Sequence, residues 1–262
     1  MDTPSMTASV AVDGAVAGSG RVEWWDEADG TRLYLLTGEI DPRWRRRGLG
    51  RILLARLEEQ AAAHWRDHPG AGPPLFGTNP SDEAALALAH AAGYRVRFTL
   101  VDLARDPAGA VEAPLPPGVA LRPVRGEHHP RIHAAISACF AESRLGQEVQ
   151  TYHEYRDGVR DTDLWVVAWA GDEIAGLVVN EREPDGTVDS SWVAVLPPWR
   201  RRGLASTLLQ HSLRRLAGHG VRTATIRTVQ ENPHRTVALY ERAGYRVTVR
   251  TPRYAKPLRQ AG

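Results

Sequence analysis

One segment occurs twice in this chain, and that repeat limits the folds open to it more than any other feature. Pro42-Arg43-Trp44-Arg45-Arg46-Arg47-Gly48-Leu49-Gly50 returns 155 residues later as Pro197-Pro198-Trp199-Arg200-Arg201-Arg202-Gly203-Leu204-Ala205, and Leu53-Leu54 return as Leu208-Leu209. Ala92-Gly93-Tyr94-Arg95-Val96 returns at an offset of 151 as Ala243-Gly244-Tyr245-Arg246-Val247. Two landmarks at nearly one offset mean two copies of one unit. The run Ser191 to Leu196 is short and apolar and is stopped by Pro197-Pro198, so it reads as a buried strand entering a turn. Leu204, Leu208, Leu209, Leu213 and Leu216 then recur at helical spacing. Strand, basic loop and helix make an anion site, because the first N–H groups of a helix lack internal partners and its dipole is positive there. Three arginines at that end oppose the dipole, so an anion is expected beside Arg200, Arg201 and Arg202.

A nucleoside-triphosphate loop needs a lysine after glycine, and the chain's one lysine is Lys256. A dinucleotide fingerprint needs a third glycine, where Leu53 and Leu208 stand. What fits is R-x-x-G-x-[GA], at Arg200, Gly203 and Ala205 and again at Arg45, Gly48 and Gly50. Between a strand and a helix, this resembles the pyrophosphate loop of the GNAT superfamily of acyl-coenzyme A-dependent N-acyltransferases. Downstream, Thr223 to Val229 reads as a strand, and Asn232-Pro233 is placed to cap a helix carrying Val237-Ala238-Leu239-Tyr240-Glu241. That stretch is similar to the family's N…ALYE..GF segment, although Asn232 and Tyr240 stand one residue further apart than in a typical member. The resemblance covers residues 7–257, most firmly from 119 onward, and among two-domain members it is greatest to the mycothiol synthase branch. It implies a mixed α/β (α+β) sheet in two tandem domains, chemistry in the second, and acetyl-CoA as acyl donor.

In chain order, Thr7 to Val12, Ala15 to Trp25 and Thr31 to Ile40 read as antiparallel strands joined by turns at Asp13-Gly14 and Asp29-Gly30. A helix from Gly48 to Trp65, a strand at Leu75 to Thr78, a helix from Asp82 to Ala92 and a strand from Tyr94 to Asp102 follow. The family's first strand and two acceptor-side helices find no room before Thr7, so the first domain, residues 1–105, reads as truncated at its N-terminus. Residues 106–118 are proline-rich and read as a linker. The second domain, 119–262, reads as complete: a strand at Val119 to Val124, helices at His129 to Glu142 and Glu148 to Arg160, then strands at Leu164 to Ala170, Glu173 to Arg182 and Thr187 to Leu196. A net charge of +2 with interleaved signs calls for no nucleic acid and no membrane, and favours a small ligand. One cysteine, Cys139, excludes an intrachain disulfide, and no apolar run reaches about 20 residues, so a cytoplasmic monomer or homodimer is expected. His128, His129 and His133 lack a partner cluster, and no metal is expected.

Moving an acyl group from a thioester to an amine needs a neutral amine, donors for the oxyanion and a proton for the thiolate. The resemblance makes Tyr240 the proton donor; a tyrosine packing helix on sheet is the alternative. It gives backbone N–H groups of Val193, Ala194 and Val195 to the oxyanion and the pantetheine, and Arg200, Arg201, Arg202, Gly203, Leu204, Ala205 and Ser206, with Asn232, to coenzyme A. Asp189, four residues before Val193 and on its face by strand alternation, is the candidate base, or else a solvent-facing edge residue. Tyr152, Tyr155, Glu181 and Trp192 are candidates for the acceptor pocket. Trp44 and Trp199 either stack on adenine or pack beside the turn.

The first copy keeps its loop, so Gly38, Glu39, Ile40, Arg45, Arg46, Arg47, Gly48, Leu49 and Gly50 are expected to hold a second coenzyme A moiety. Aligning Gly93 with Gly244 puts Ala89 where Tyr240 stands, so this copy is expected to be silent. The favoured activity is acetyl transfer to the primary amine of a small molecule. A coenzyme A-binding regulator without turnover and an aminoacyl-tRNA-dependent transferase are the other readings; Tyr240 weighs against the first and the near-neutral charge against the second.

Overall fold

The computed structural model describes residues 3–27, 29–141 and 150–258. They form two compact units, one of residues up to Thr99 together with those from Pro252 onward, the other of the described residues from Leu100 to Thr251.

The first unit opens with a meander, β1 (Ser5–Val12), β2 (Ala15–Asp26) and β3 (Arg32–Ile40). Asp13 and Gly14 both take positive φ, at 50° and 80°, the twist that a two-residue hairpin needs. Then come α1 (Leu49–Asp67), β4 (Pro74–Thr78) and α2 (Glu83–Ala91), whose first turn is capped by Asp82 accepting from the Ala85 N–H. Val10, Val22, Tyr34 and Leu36 of the sheet pack on Leu53, Leu57 and Ala61 of α1. The last strand of the chain, β11 (Arg246–Pro257), ends in this unit, where Tyr254 to Pro257 pair antiparallel with β4. Lys256 fastens it. Its Nζ lies 2.8 Å from Glu58 Oε1, donates to the Ala92 carbonyl at 2.9 Å and sits 4.8 Å from the Tyr94 ring centre.

β5 (Arg95–Arg105) runs from the first unit into the second. There follow β6 (Val119–Leu121), α3 (His129–Phe140), α4 (Tyr152–Gly158), β7 (Val166–Ala170), β8 (Glu173–Arg182), β9 (Val188–Val195), α5 (Leu204–Gly218), β10 (Ala224–Val229) and α6 (Thr236–Arg242). Strand order in this unit is β6-β7-β8-β9-β10-β5, and β9 with β10 is its parallel pair. Leu204 and Leu208 of α5 cover Val166, Ala168 and Val178 on one face, while Ile132, Ile136 and Tyr155 cover Trp165, Val167, Leu177 and Val179 on the other. Ile174 to Asn180 are consequently all buried, and the run reads apolar without alternation. β6 stops at Leu121, short of the expected Val124, since Pro123 has no N–H for a ladder. α4 starts at Tyr152 on a Thr151–Glu154 capping box; the expected residues Glu142 and Glu148 lie outside the described residues.

Residues 106–118 are more than a tether. The Val111 N–H donates to Gln210 Oε1 at 3.0 Å, His211 Nε2 meets the Ala113 carbonyl at 2.9 Å, and Ala110 and Leu115 join the two clusters around α5. The segment is strapped along that helix.

Between β8 and β9 the register slips: Val179 faces Trp192, but Glu181 faces Asp189. Asn180 alone therefore opposes both Ser190 and Ser191, a β-bulge in β9. Asn180 is fully buried, donates to the Leu164 carbonyl at 2.8 Å and to Ser212 Oγ at 2.9 Å, and accepts from Ser190 Oγ at 2.9 Å. Asn180→Leu strands these groups in the core and is expected to cost about 2 to 4 kcal/mol, read as a lower urea midpoint with unchanged slope. A loss below about 0.5 kcal/mol would mean that the bulge holds itself.

Candidate active site

β10 pairs with β5 through six residues, Ala224 to Val229, but with β9 only at Ala224↔Val188 and Thr225↔Asp189. A strand held along one side and released on the other leaves a wedge. Among the described residues, Val193, Ala194 and Val195 have no ladder partner on β10, so an extended ligand can pair with that edge as an added strand.

The basic loop closes the wide end of the wedge. Arg201 and Gly203 take positive φ, at 58° and 79°, and α5 starts at Leu204 with Gly203 as N-cap. Among the described residues nothing accepts from the N–H groups of residues 201–206. Such a run of donors, with left-handed backbone at 201 and 203 ahead of a helix start, has the form of an anion-binding nest. The arginines contribute less directly than expected. Arg200 Nε donates to the Val195 carbonyl at 2.9 Å, Arg202 lies 5.0 Å over the Trp199 ring, and Arg201 alone extends without such a contact. Trp199 is thus engaged by its own loop. The nest, open at Gly203 where an added Cβ would meet nothing within 4 Å, fits a pyrophosphate held by main chain.

The bulge overturns the argument by alternation that put Asp189 on Val193's face. Val188 packs with Leu209 and Leu213 beneath α5, and Val193 and Val195 also pack on that face, although 188 and 193 differ in parity. The extra residue at Ser190-Ser191 shifts the phase, so Asp189 stands on the opposite face, that of α3 and α4. There it accepts from Thr225 Oγ1 at 3.0 Å and faces Glu181 across the strands. Burial raises its carboxyl above the usual range; the Thr225 bond pulls it back and Glu183 adds to the rise.

Tyr240 is on the α5 face. Its ring shares a cluster with Val101, Leu103 and Val188, against which Val193 packs. Its ring is buried, and its hydroxyl makes no hydrogen bond among the described residues. Burial of the ring holds its proton well above the ordinary phenol range, with Tyr245 and Asp189 adding to the effect. The two candidate proton carriers thus flank the wedge from opposite faces.

At Glu181, the cross-strand partner of Asp189, lies a cavity of about 150 Å³ lined also by Tyr155, Trp165, Val179, Trp192 and Arg160, among others. Tyr155, Glu181 and Trp192 all line this cavity. Arg160, 3.3 Å from Glu181, was not anticipated, because nothing in a lone arginine after a short helix signals the pairing. Tyr152 is exposed and stacks on Tyr155 at 6.0 Å without lining the cavity. Asn232 caps a turn, not the helix: its Oδ1 accepts from the His234 N–H, and Arg235, left-handed at φ 53°, absorbs the extra residue before α6.

The first unit repeats the loop closely. Arg45 Nε donates to the Ile40 carbonyl at 3.0 Å, Arg47 lies 4.9 Å over Trp44, and Arg46 and Gly48 take φ of 64° and 80°. Its parallel pair is longer, from Arg32↔Pro74 to Leu36↔Thr78, which leaves Gly38, Glu39 and Ile40 without β4 partners. Tyr94 N–H bonds to the Ala89 carbonyl as Tyr245 N–H bonds to that of Tyr240, both at 3.0 Å, so Ala89 occupies the tyrosine's position.

A model of the acetyltransferase (GNAT) family matches residues 1–94 and 129–245. The chain belongs to this family. As a GNAT protein it is an N-acetyltransferase built on two family-like regions, and the family's reaction uses an acyl-CoA donor. It is 29% identical over 259 residues to a mycothiol acetyltransferase of Geodermatophilus obscurus, covering 90% of this chain and 77% of the relative. A mycothiol acetyltransferase of Kineococcus radiotolerans is also 29% identical, over 93% of this chain and 78% of its own. A GCN5-related N-acetyltransferase from Sphaerobacter thermophilus superposes with a TM-score of 0.71 at 25% identity, over 96% of this chain and 80% of that one. Among the described residues no helix of this GNAT protein is long and apolar enough to cross a membrane.

Gly203→Val would meet no clash, but it forces a β-branched residue to a φ of 79° and puts a side chain over the nest. Acetyl-CoA affinity by calorimetry is expected to fall roughly ten-fold or more, with circular dichroism unchanged. Gly48→Val imposes the same strain at 80° in the first unit and is expected to leave turnover largely intact. Equal loss of turnover in both stable variants would remove the asymmetry between the units.

Proposed function

We propose that this enzyme moves an acetyl group from acetyl-CoA directly to the primary amine of a small molecule, with the chemistry in the second unit. The observation that carries the reading is the pairing of an open wedge with a nest of free N–H groups at its wide end and Tyr240 beneath it. Bound acetyl-CoA supplies an activated thioester and a thiolate leaving group. The N–H groups of residues 201–206 hold the pyrophosphate, and Val193 to Val195 pair with the pantetheine and turn an N–H toward the thioester oxygen. Asp189 takes the proton of the incoming ammonium, directly or through water, on one face. As the N–C bond forms and the C–S bond breaks, the nitrogen releases its second proton to solvent, while Tyr240 gives its proton to sulfur on the other face and recovers one from solvent. The division of labour follows the repeat: residues 119–262 catalyse, while residues 1–105, with Ala89 in the tyrosine's place, hold a coenzyme A moiety without turnover. The names of the two curated relatives support a small acceptor, and a cytoplasmic setting, where acyl-CoA is made and used, suits the reading.

Release of free thiol from acetyl-CoA across a panel of amines, with products identified by mass, tests this. Hydrolysis without any N-acetylated product would overturn it. Tyr240→Phe keeps the packed ring and removes the donor, so kcat is expected to fall about 10²- to 10⁴-fold with acetyl-CoA affinity nearly unchanged. Wild-type kcat in an assay limited by chemistry would make Tyr240 a packing residue. A base must be ionised to act, and the carboxyl of Asp189 is raised, so the acid limb of kcat/KM is expected at a pH above the ordinary aspartate value of about 3.9. That limb is expected to vanish in Asp189→Asn, together with most of the rate; its persistence would assign the proton to another group.

A further inference from the structure

The parallel ladder between β9 and β10 closes at the pair Thr225↔Asp189, and the wedge opens beyond it. Partners in register on a ladder share a face, so these two side chains stand side by side at the apex. The Thr225 hydroxyl turns to the carboxylate: it donates to Asp189 Oδ1 at 3.0 Å and keeps only a long approach, 3.4 Å, to the Val188 carbonyl. The first unit shows that a threonine in this place can do otherwise. Its parallel ladder closes at Leu36↔Thr78, and there the threonine hydroxyl donates to the main chain, to the Leu36 carbonyl at 3.0 Å. The other groups around Asp189 do less for its charge. Glu181, opposite it on β8, and Glu183 both oppose a second negative charge, and Glu181 is itself held by Arg160 at 3.3 Å. Arg227, two residues along β10, favours the charge, but its guanidinium is engaged by Asp102 of β5 at 2.5 Å. Tyr240 and Tyr245, on the α5 face, are uncharged at neutral pH because burial raises both phenols.

We propose that Thr225 is a positioning residue for acyl transfer: its hydroxyl fixes the Asp189 carboxylate at the apex of the wedge, where that carboxylate takes up the amine proton. The inference rests on the acyl-transfer reading above and adds a residue to its proton path. A hydrogen bond donated to a carboxylate favours the charged form, so Thr225 works against the rise that burial imposes on Asp189. Without the hydroxyl the carboxyl stays protonated to a higher pH, and a protonated carboxyl cannot accept the amine proton. The acid limb of kcat/KM therefore moves to higher pH, by about one unit for the loss of one hydrogen bond to a charged group. A threonine that only filled space on the strand would, when replaced, lower the plateau of the profile or the melting temperature and leave the limb in place.

The test uses the full chain with three substitutions at this one position. Thr225→Val keeps the shape and the β-branching of the strand residue and removes the donor. Thr225→Ala also removes it, which keeps the test open if the valine variant does not fold, and Thr225→Ser restores it. Carboxyl-carbon NMR of protein carrying isotope-labelled aspartate follows Asp189 directly, its signal assigned by its loss in Asp189→Asn. Asp189 is expected to titrate about one unit higher in the valine or alanine variant and close to its original position in the serine variant. The acid limb of kcat/KM, measured with acetyl-CoA and the amine of the panel above that is acetylated fastest, is expected to move with it. An Asp189 carboxyl that titrates alike in the unmodified protein and a folded variant lacking the hydroxyl overturns the inference and leaves the acyl-transfer reading standing. A carboxyl that shifts while the limb stays in place assigns the proton to another base and overturns the inference together with the part of Asp189 in that reading. Binding of acetyl-CoA without acetylation of any amine overturns the acyl-transfer reading and the inference with it.

Discussion

A parallel ladder only two residues long governs the second unit. β10 has six residues committed to β5 and two to β9, so it cannot follow β9 to its end. The gap is therefore built by hydrogen-bond commitments on the far side of β10, not by looseness, and it should be present before any ligand arrives. Preorganisation of this kind matters because an extended ligand pairing with Val193 to Val195 then orders little protein on binding. The loop at the wide end obeys the same economy: Arg200 and Arg202 are engaged by Val195 and Trp199 of their own turn, which leaves the main chain open.

The bulge at Ser190-Ser191 adds what the wedge alone lacks. By shifting the phase of β9 it puts a carboxylate on one face and leaves Val193 on the other, above Tyr240. The Asp189 carboxyl and the Tyr240 ring then lie on opposite faces of the sheet, at the same gap. Asn180 underwrites this by bonding Ser190 and Ser212 from a fully buried position. The first unit has the loop without the bulge's counterpart in its β2–β3 ladder, which runs in register from Gly18↔Ile40 to Asp26↔Arg32.

Much of this was legible in the sequence because it depends on local patterns. The repeated loops, the strands that end in Gly38 to Ile40 and Val193 to Val195, and the helix carrying Tyr240 are written in proline, glycine and leucine spacing. What was not legible depends on pairing between distant residues. Strand alternation placed Asp189 by counting, and one extra residue opposite Asn180 defeated the count. The asparagine at 232 carried a capping signal that was spent on a turn, since Arg235 could enter left-handed backbone. Arg160 met Glu181 only through the fold, and the proline-rich stretch from 106 to 118 showed its breakers but not the polar groups of α5 that hold it.

The chain's last strand ends among residues made at the beginning. Tyr254 to Pro257 complete the ladder on β4, and Lys256 reaches Glu58 and Ala92. During synthesis at about 5–20 residues per second, the edge of β4 that they cover stays exposed until the whole second unit has been made. The order of translation and the order of completion are thus reversed: the first unit is begun first and finished last, and an unpaired strand edge awaits a partner for the duration.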